Sequence, residues 1–455
     1  MSIRSVNPAN GEVIKEYQEF SYDQIASIIQ AVDAACGLWR ETSFADRSVF
    51  MNKAAQVLHS RKEEFARLMA LEMGKPVTQG IAEVEKCAAV CEYYAGNAAQ
   101  FLAPEVIKTE AAKSFVTFQP LGTVLAIMPW NFPFWQAFRF LAPGLMAGNC
   151  AVLKHASNVP GCALAIEKVM REAGFPENTF RTILVGSKAV DQIIENPLIK
   201  AVTLTGSTEA GKQIAQKAGS LLKKVVLELG GSDPYVILED ADLDLAAETS
   251  VKARLVNSGQ SCIAAKRFIV VESVADTFTG KFLERMQAIH VGDPLDKATE
   301  IGPQARIELR DQLHEQVRKS VAAGAQCVLG GEKPDGNNAF YPPTILTAVK
   351  PGMPAYNEET FGPVASIIRA KDEDDAIRIA NDTNFGLGAA IFTTDLIKAE
   401  HIAATRLEAG CCFVNAQVHS DPRLPFGGIK DSGLGRELGI YGIKEFVNIK
   451  TVFVK

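Results

Sequence analysis

Cys262 closes the segment Ser258-Gly-Gln-Ser-Cys262, a run of small residues at the end of a helical stretch. A thiol set among small side chains can be reached by substrate, and its thiolate is a strong nucleophile; the other reading is a buried structural thiol. Glu228 stands inside the apolar run of Leu227-Glu-Leu-Gly-Gly-Ser232. A carboxylate there either sits on a solvent face or is buried with a raised pKa, and the second case makes a general base. In Met128-Pro-Trp-Asn-Phe-Pro133, two prolines bracket Trp-Asn-Phe. They fix the loop, so the Asn131 amide could be held as an oxyanion donor, unless the segment is an ordinary strand-to-helix turn.

Two further segments could meet phosphate. Thr205-Gly-Ser-Thr-Glu-Ala-Gly211 follows a strand and opens a helix, whose first N–H groups can receive an anion. It is not G-x-G-x-x-G, so alone it says little about dinucleotides. Leu153-Lys-His-Ala-Ser157 puts a lysine directly after a strand and a hydroxyl three residues on, in what could equally be a solvated loop. No Walker A, H-E-x-x-H or G-x-S-x-G sequence occurs, and the histidines lack metal-ligand spacing. No metal is expected, and His155 reads as a loop residue.

The elements around these segments alternate. Residues 21–101 read as helical, opened by the capping-box pair Ser21 and Gln24, with Ile25, Ile28, Ile29 and Val32 at helical spacing. Cys87 and Cys91 fall on one helical face with no ligand partner in phase, which predicts core packing. Ser114–Gln119 reads as an exposed strand. From Thr123 to Leu229, short apolar runs alternate with helical stretches, which predicts a parallel sheet covered by helices on both faces. A second alternating half follows from about Asp233, with a helix predicted over Leu243–Ser258 and a strand over Phe268–Val271. Tyr441–Lys455 is strand-like, and neither it nor the 114–119 strand has a partner in its own neighbourhood.

Composition bounds the rest. The 455 residues carry 47 Lys+Arg against 53 Asp+Glu, a net charge of −6, with 47% apolar and 22% charged residues. That predicts about two or three domains of roughly 100–200 residues each. It excludes a disordered chain, a fibre or a disulfide-stapled module, and a net negative charge argues against nucleic acid as a partner. Nine scattered cysteines predict free thiols, eight of them packed and Cys262 reactive. From Gly122 to Ala151 the only formal charge is Arg139, but Pro129, Asn131, Pro133, Gln136 and Asn149 interrupt the run. A membrane span needs about 20 continuous apolar residues, so a buried strand, loop and helix are expected instead. The amino terminus shows no basic-then-apolar leader, so a cytoplasmic address is expected.

In this order, the segments resemble the NAD(P)-dependent aldehyde dehydrogenase superfamily over essentially the whole chain. The motifs are PWNFP at 129–133, GST at 206–208, ELGG at 228–231, GQSC at 259–262, EETFGPV at 358–364 and PFGGIKDSGLGRE at 425–437. The resemblance implies an α/β fold of two doubly wound domains plus a small bridging β element. The boundaries expected are a cofactor-binding domain at 1–111 and 123–227, a catalytic domain at 228–439, and a bridging element at 112–122 and 440–455 that pairs subunits in a homodimer or tetramer. It implies Cys262 as nucleophile, Asn131 and the Cys262 N–H as oxyanion donors, and Glu228 as the base that activates water. Trp130, Lys154, Gly206, Ser207, Leu229, Glu359 and Phe361 fall on the family's cofactor-contact positions. Members that prefer NAD often carry Glu where this chain has Ser157; a hydroxyl and Lys154 can accept a 2′-phosphate that a carboxylate would repel, so NADP is expected over NAD.

An arginine on the otherwise apolar helix after Asn131 is costly without an anionic partner, so Arg139 either meets an anionic substrate or forms a structural salt bridge. The chain is most similar to succinate-semialdehyde dehydrogenases, in which an arginine at the position of Arg139 holds the substrate carboxylate, and Ser420 could assist. Val256 stands where some carry a second arginine, Ala264 where some carry a redox-partner cysteine, and Ser232 replaces the usual lysine of ELGGK. Alternatives are a dehydrogenase for glutarate semialdehyde or an aliphatic aldehyde, a CoA-acylating relative, which Glu228 argues against, or a non-catalytic structural protein on this fold.

Overall fold

The computed structural model describes residues 2–455. It opens with an antiparallel hairpin, β1 (Ser2–Val6) and β2 (Val13–Gln18), that the sequence pattern does not announce because β2 is exposed along nearly its whole length. Ser21 accepts the Gln24 N–H, and the Gln24 side chain returns to the Ser21 N–H, so the predicted capping box starts α1 (Tyr22–Trp39). Three helices follow, α2 (Phe44–Ser60), α3 (Lys62–Met73) and α4 (Val77–Phe101). Cys87 and Cys91 are fully buried on α4, as their spacing predicts.

After β3 (Glu105–Val106) and β4 (Lys113–Pro120), the chain alternates through β5 (Thr123–Met128), α5 (Pro133–Met146), β6 (Cys150–His155), α6 (Pro160–Glu172) and β7 (Phe180–Ile183). It continues with α7 (Val190–Glu195), β8 (Ile199–Thr205), α8 (Thr208–Ser220) and β9 (Lys224–Glu228). The sheet order is β9-β8-β5-β6-β7, all parallel. Every residue of β5 and β6 is buried, as strands covered on both faces must be. Because the sheet grows outward from β5 in both directions, a switch point lies between β5 and β8, and a crevice opens at their carboxyl ends. The PWNFP and GST segments begin at those ends.

The second half contains β10 (Pro234–Ile237), α9 (Leu243–Leu255), β11 (Arg267–Val271), α10 (Ala275–Gln287), α11 (Ile307–Ala322), β12 (Gln326–Leu329) and β13 (Thr344–Thr347). Then come α12 (Pro354–Asn357), β14 (Val364–Ala370), α13 (Glu373–Asn381), β15 (Phe385–Gly386), β16 (Gly388–Phe392), α14 (Leu396–Thr405) and β17 (Cys411–Val414). Its sheet runs β12-β13-β14-β11-β10-β16-β17, parallel except at β12–β13. The carboxyl end of β9 leads through ELGG into the amino end of β10, so the first sheet's carboxyl edge faces the second sheet's amino edge. Near the end, β18 (Ile429–Lys430) pairs with β15, and β19 (Gly433–Leu434) crosses to the first sheet beside β9. After α15 (Gly439–Lys444), β20 (Val447–Val454) pairs with β4 along its whole length, so the two orphan strands of the sequence are partners of each other.

Several sequence expectations are corrected. Tyr441–Lys444 is helical rather than strand-like, because Leu438 and Gly439 take φ of 63° and 58° and start a short turn of helix there. The helix predicted over Leu243–Ser258 stops at Leu255, since Asn257, Ser258 and Gly259 adopt left-handed φ of 54°, 56° and 77°. Lys154 and His155 lie within β6, not in a loop; His155 is buried, faces the Pro133 carbonyl at 2.9 Å, and burial pushes its pKa down to about 4. Cys327 is exposed and so is not a packing thiol.

Candidate active site

Three consecutive left-handed residues turn the chain from α9 toward Cys262, a conformation that costs energy at Asn257 and Ser258 and must be held from outside. The Asn257 N–H donates to Gln79 Oε1 at 2.7 Å, and its Nδ2 donates to the carbonyls of Asn131 and Gln260 at 2.7 and 3.1 Å. Ser258 Oγ accepts the Gly302 N–H at 3.0 Å. A Cβ on Gly259 would lie 2.3 Å from the Gly362 backbone, so only glycine lets the GQSC and EETFGPV segments touch. Lys266 Nζ donates to the Ser261 and Cys262 carbonyls at 2.7 and 2.6 Å, which pins the loop carrying the thiol.

Asn131 joins this loop directly. Its Nδ2 donates to the Gln260 carbonyl at 3.1 Å, and its Oδ1 is buried without a partner. The loop is therefore held by Asn257 as well as by its prolines. Glu228, the last residue of β9, is 2% exposed, which excludes the solvent-face reading. Neither carboxyl oxygen has a hydrogen-bond partner. Burial raises its pKa well above the usual carboxylate range, Arg139 and Arg436 pull it down, and Glu437 pushes it up. Burial thus favours the neutral carboxyl. Gly427, at φ 151°, makes room for it: a Cβ there would sit 2.6 Å from Glu228 Oε1. Burial also pushes the Cys262 thiol up to about 12, against the pull of Lys266 and Arg139. Glu359 and, when ionised, Glu228 raise it further.

Cys262 lines a pocket of about 540 Å³ together with Trp135, Arg139, Ser420 and Phe426. Phe132, Trp135 and Val256 continue from it into an outer cleft of about 1210 Å³. Arg139 forms a buried ion pair with Glu437, donates from Nη2 to Thr205 Oγ1 at 3.2 Å, and lies 4.9 Å from the Phe426 ring. The anionic partner that an arginine on an apolar helix needs is therefore inside the chain. Ser420 is buried, and its Oγ accepts from Lys86 Nζ at 2.7 Å.

On the other side, the first sheet's carboxyl edge gathers the remaining sequence-predicted positions. Ser207 caps α8 by accepting the Ala210 N–H, and the Gly206 N–H donates to the Glu228 carbonyl at 2.9 Å. Leu229 packs on α8, where a Cβ on Gly211 would meet it at 2.5 Å. Trp130 and Phe361 meet edge to face at 5.7 Å. Glu359 accepts the Gly231 N–H at 3.1 Å and lies 3.4 Å from Lys266. Lys154 is buried at the end of β6, which lowers its pKa, while Ser157 is exposed three residues on. A buried ammonium, a helix N-terminus and an exposed hydroxyl form a donor set suited to an anionic dinucleotide. Among the described residues, no cluster of His, Cys, Asp and Glu could hold a metal ion.

Asn257, Lys266 and Glu437 escaped the sequence reading. Asn257 and Lys266 flank GQSC at short range and carry a weak signal as polar residues in an apolar context, whereas nothing local links Glu437 to Arg139.

The aldehyde dehydrogenase family model matches residues 1–452, and the chain belongs to that family of oxidoreductases. It is 49% identical over 454 residues to the probable NADP(+) succinate-semialdehyde dehydrogenase of Synechocystis sp., covering 100% of both chains. It is 47% identical over 449 residues to the NAD(P)+ succinate semialdehyde dehydrogenase Sad of Escherichia coli, covering 99% of this chain and 97% of the relative. The crystal structure of succinic semialdehyde dehydrogenase from Streptococcus pyogenes in complex with NADP+ superposes with a TM-score of 0.97 at 35% identity, covering 99% of each chain.

Proposed function

We propose that this protein oxidises succinate semialdehyde to succinate with NADP preferred over NAD. The observation that carries the reading is the pocket itself. Its wall carries a thiol together with Arg139 and Ser420, in a family member 49% identical to a relative named for this reaction.

In the proposed mechanism the Cys262 thiolate adds to the aldehyde carbon. Asn131 Nδ2 and the Cys262 N–H hold the resulting oxyanion. An NADP bound against Trp130, Lys154, Ser157, Gly206, Ser207, Leu229, Glu359 and Phe361 would accept the hydride that leaves the carbon, which leaves a thioester on Cys262. Glu228, once it has lost its proton, takes one from the water that hydrolyses the thioester on Cys262. Burial favours the neutral form of both Cys262 and Glu228, and the proposed chemistry needs a proton to leave each of them. Arg139 and Ser420 meet the distal carboxylate.

The domain division at 1–111 with 123–227, 228–439, and 112–122 with 440–455 is part of the same proposal. The exposed Ile449, Phe453 and Val454 of β20 suit it to a homo-oligomer contact, and a cytoplasmic address is consistent with no helix of the described residues being long and apolar enough to cross a membrane. The decisive measurement is initial-rate kcat/KM for succinate semialdehyde and for butanal, each with NADP and NAD. A value for succinate semialdehyde no higher than for butanal would sink the substrate assignment, and a higher value with NAD would sink the cofactor assignment. Light scattering on the purified protein tests the oligomer; a monomer mass refutes it.

A further inference from the structure

Lys266 is a fully buried cation that the proposed chemistry leaves without a role. It stands just before β11, where its N–H donates to the Asp233 carbonyl at 3.1 Å and its carbonyl accepts the Ser366 N–H at 3.0 Å. Its backbone is therefore fixed between the start of β10 and β14, on the second sheet. From that anchor the side chain reaches back to the loop that carries the thiol. An ammonium has three donors, and all three are directed. Two go to the Ser261 and Cys262 carbonyls at 2.7 and 2.6 Å, and the third faces Glu359 Oε1 at 3.4 Å.

The Ser261 carbonyl belongs to the same peptide unit as the Cys262 N–H. That unit is planar and trans, so its C=O and N–H point in opposite directions. Holding the oxygen fixes the direction of the N–H, and drawing electron density toward the oxygen makes the N–H a stronger donor. The bond to the Cys262 carbonyl also keeps a positive charge on the residue that bears the thiol. Lys266 and Arg139 favour the Cys262 thiolate, while Glu359 and Glu228 oppose it; Lys86 and His419 also line the pocket. The charged groups facing Lys266 are Glu359, Asp233 and Arg254. Asp233 Oδ1 accepts the Gly388 N–H at 3.0 Å, and Arg254 donates to the Gly259 and Val364 carbonyls at 2.7 and 3.2 Å. Glu359 is thus the acid that pairs with Lys266.

We propose that Lys266 is the positioning residue of the nucleophile: its ammonium aims the Cys262 N–H and stabilises the Cys262 thiolate, and Glu359 is the counter-ion that weakens that stabilisation. This rests on the reading that Cys262 is the nucleophile.

The test is the rate of Cys262 alkylation by iodoacetamide in the full-length protein without cofactor, resolved peptide by peptide in the mass spectrometer. Wild type, Lys266→Met, Lys266→Arg and Glu359→Gln are compared across pH. The reagent is uncharged and reacts with the thiolate, so below the thiol pKa the rate follows the thiolate fraction. Removing one nearby charge shifts a pKa by about one unit or more. Lys266→Met therefore lowers the Cys262 rate about 10-fold, and Lys266→Arg stays within about threefold of wild type. Glu359→Gln keeps an acceptor for the Gly231 N–H but removes the negative charge, and it raises the rate by about 3- to 10-fold. Shifts of opposite sign separate the charge from a disturbed loop. The exposed Cys327 on β12 is the internal control, alkylated at one rate in all four proteins. A Cys262 rate in Lys266→Met within about twofold of wild type, or a rate in Glu359→Gln no higher than wild type, overturns the proposal. If Lys266→Met does not fold, Glu359→Gln decides alone. The aiming role is read from kcat, which falls about 100-fold in Lys266→Met, beyond the loss of thiolate; a kcat that falls no further than the alkylation rate overturns that role. Wild-type turnover in Cys262→Ala would refute the nucleophile reading instead, and the alkylation shifts then decide by themselves whether Lys266 stabilises the thiolate.

Discussion

The pair of Arg139 and Glu437 gives a sharp test of how this core is held. Both side chains are buried, at 2% and 4% exposure, and Arg139 also donates to Thr205. Replacing Arg139 by Met keeps most of the volume and leaves Glu437 without its counter-ion. Removing one partner of a buried pair costs about 3–5 kcal/mol. With an unfolding entropy of roughly 2.1 cal/mol/K per residue, a chain of 455 residues unfolding as one unit loses about 3–5 °C in apparent midpoint. The double variant Arg139→Met/Glu437→Leu recovers most of that loss, because two apolar groups of similar volume replace the pair. The loss also depends on pH. Glu437 is already raised above the usual carboxylate range by burial, with Arg139 pulling it down, so its pKa climbs further without the arginine. A carboxyl with a raised folded-state pKa binds more protons folded than unfolded. Its stabilisation is therefore complete below the unfolded value of about 4.3 and is lost as pH rises toward the folded value. Differential scanning fluorimetry from pH 5 to 8, with heating rate held constant, reads both effects. A single variant within about 1 °C of wild type at every pH, or a double variant no better than the single, would refute the reasoning.

Other outcomes follow from the same geometry. Cys262→Ala lowers kcat by roughly 10⁴-fold or more, read as NADPH formation, because no neighbouring residue replaces the nucleophile. Glu228→Gln gives a rapid burst of at most one NADPH per site followed by slow turnover, and it abolishes a rise in wild-type turnover as pH passes through the raised Glu228 pKa; full steady-state turnover in stopped-flow traces would exclude Glu228 as the hydrolytic base. Ser157→Glu lowers kcat/KM for NADP by about 10- to 100-fold relative to NAD, since a carboxylate near the 2′-phosphate repels it; an unchanged ratio would remove Ser157 from the cofactor site. Gly427→Ala places a methyl 2.6 Å from Glu228 Oε1 at a φ of 151°, and it lowers turnover together with thermal stability.

Much of the architecture was legible because the signals are local. The Ser21–Gln24 cap, the apolar strand runs from Thr123 to Leu229 and the helical face of Cys87 and Cys91 each follow from side chains within one or two turns of each other. The hairpin β1–β2 and the helical Tyr441–Lys444 were not legible. The first brings only Ile3 and Tyr17 to a small apolar cluster while β2 stays largely exposed, and the second depends on left-handed backbone at Leu438 and Gly439. The fit of Gly259 against Gly362 was likewise invisible, although both glycines stand in motifs the sequence displays.

The sequence alone determined which residues have the chemistry: a thiol among small residues, a carboxylate in an apolar run, an amide between prolines, and a lysine ahead of a hydroxyl. Those are properties of residue type and near neighbours, and they survive any packing. The tertiary structure decided which charges are free. Burial, not sequence, raises the pKa of Glu228 and of the Cys262 thiol, because desolvation penalises a charge only when distant segments exclude water. Arg139 has no acidic neighbour in its own stretch of sequence, and only the fold sets Glu437 against it. Coulomb energy depends on distance and dielectric, and a linear sequence specifies neither.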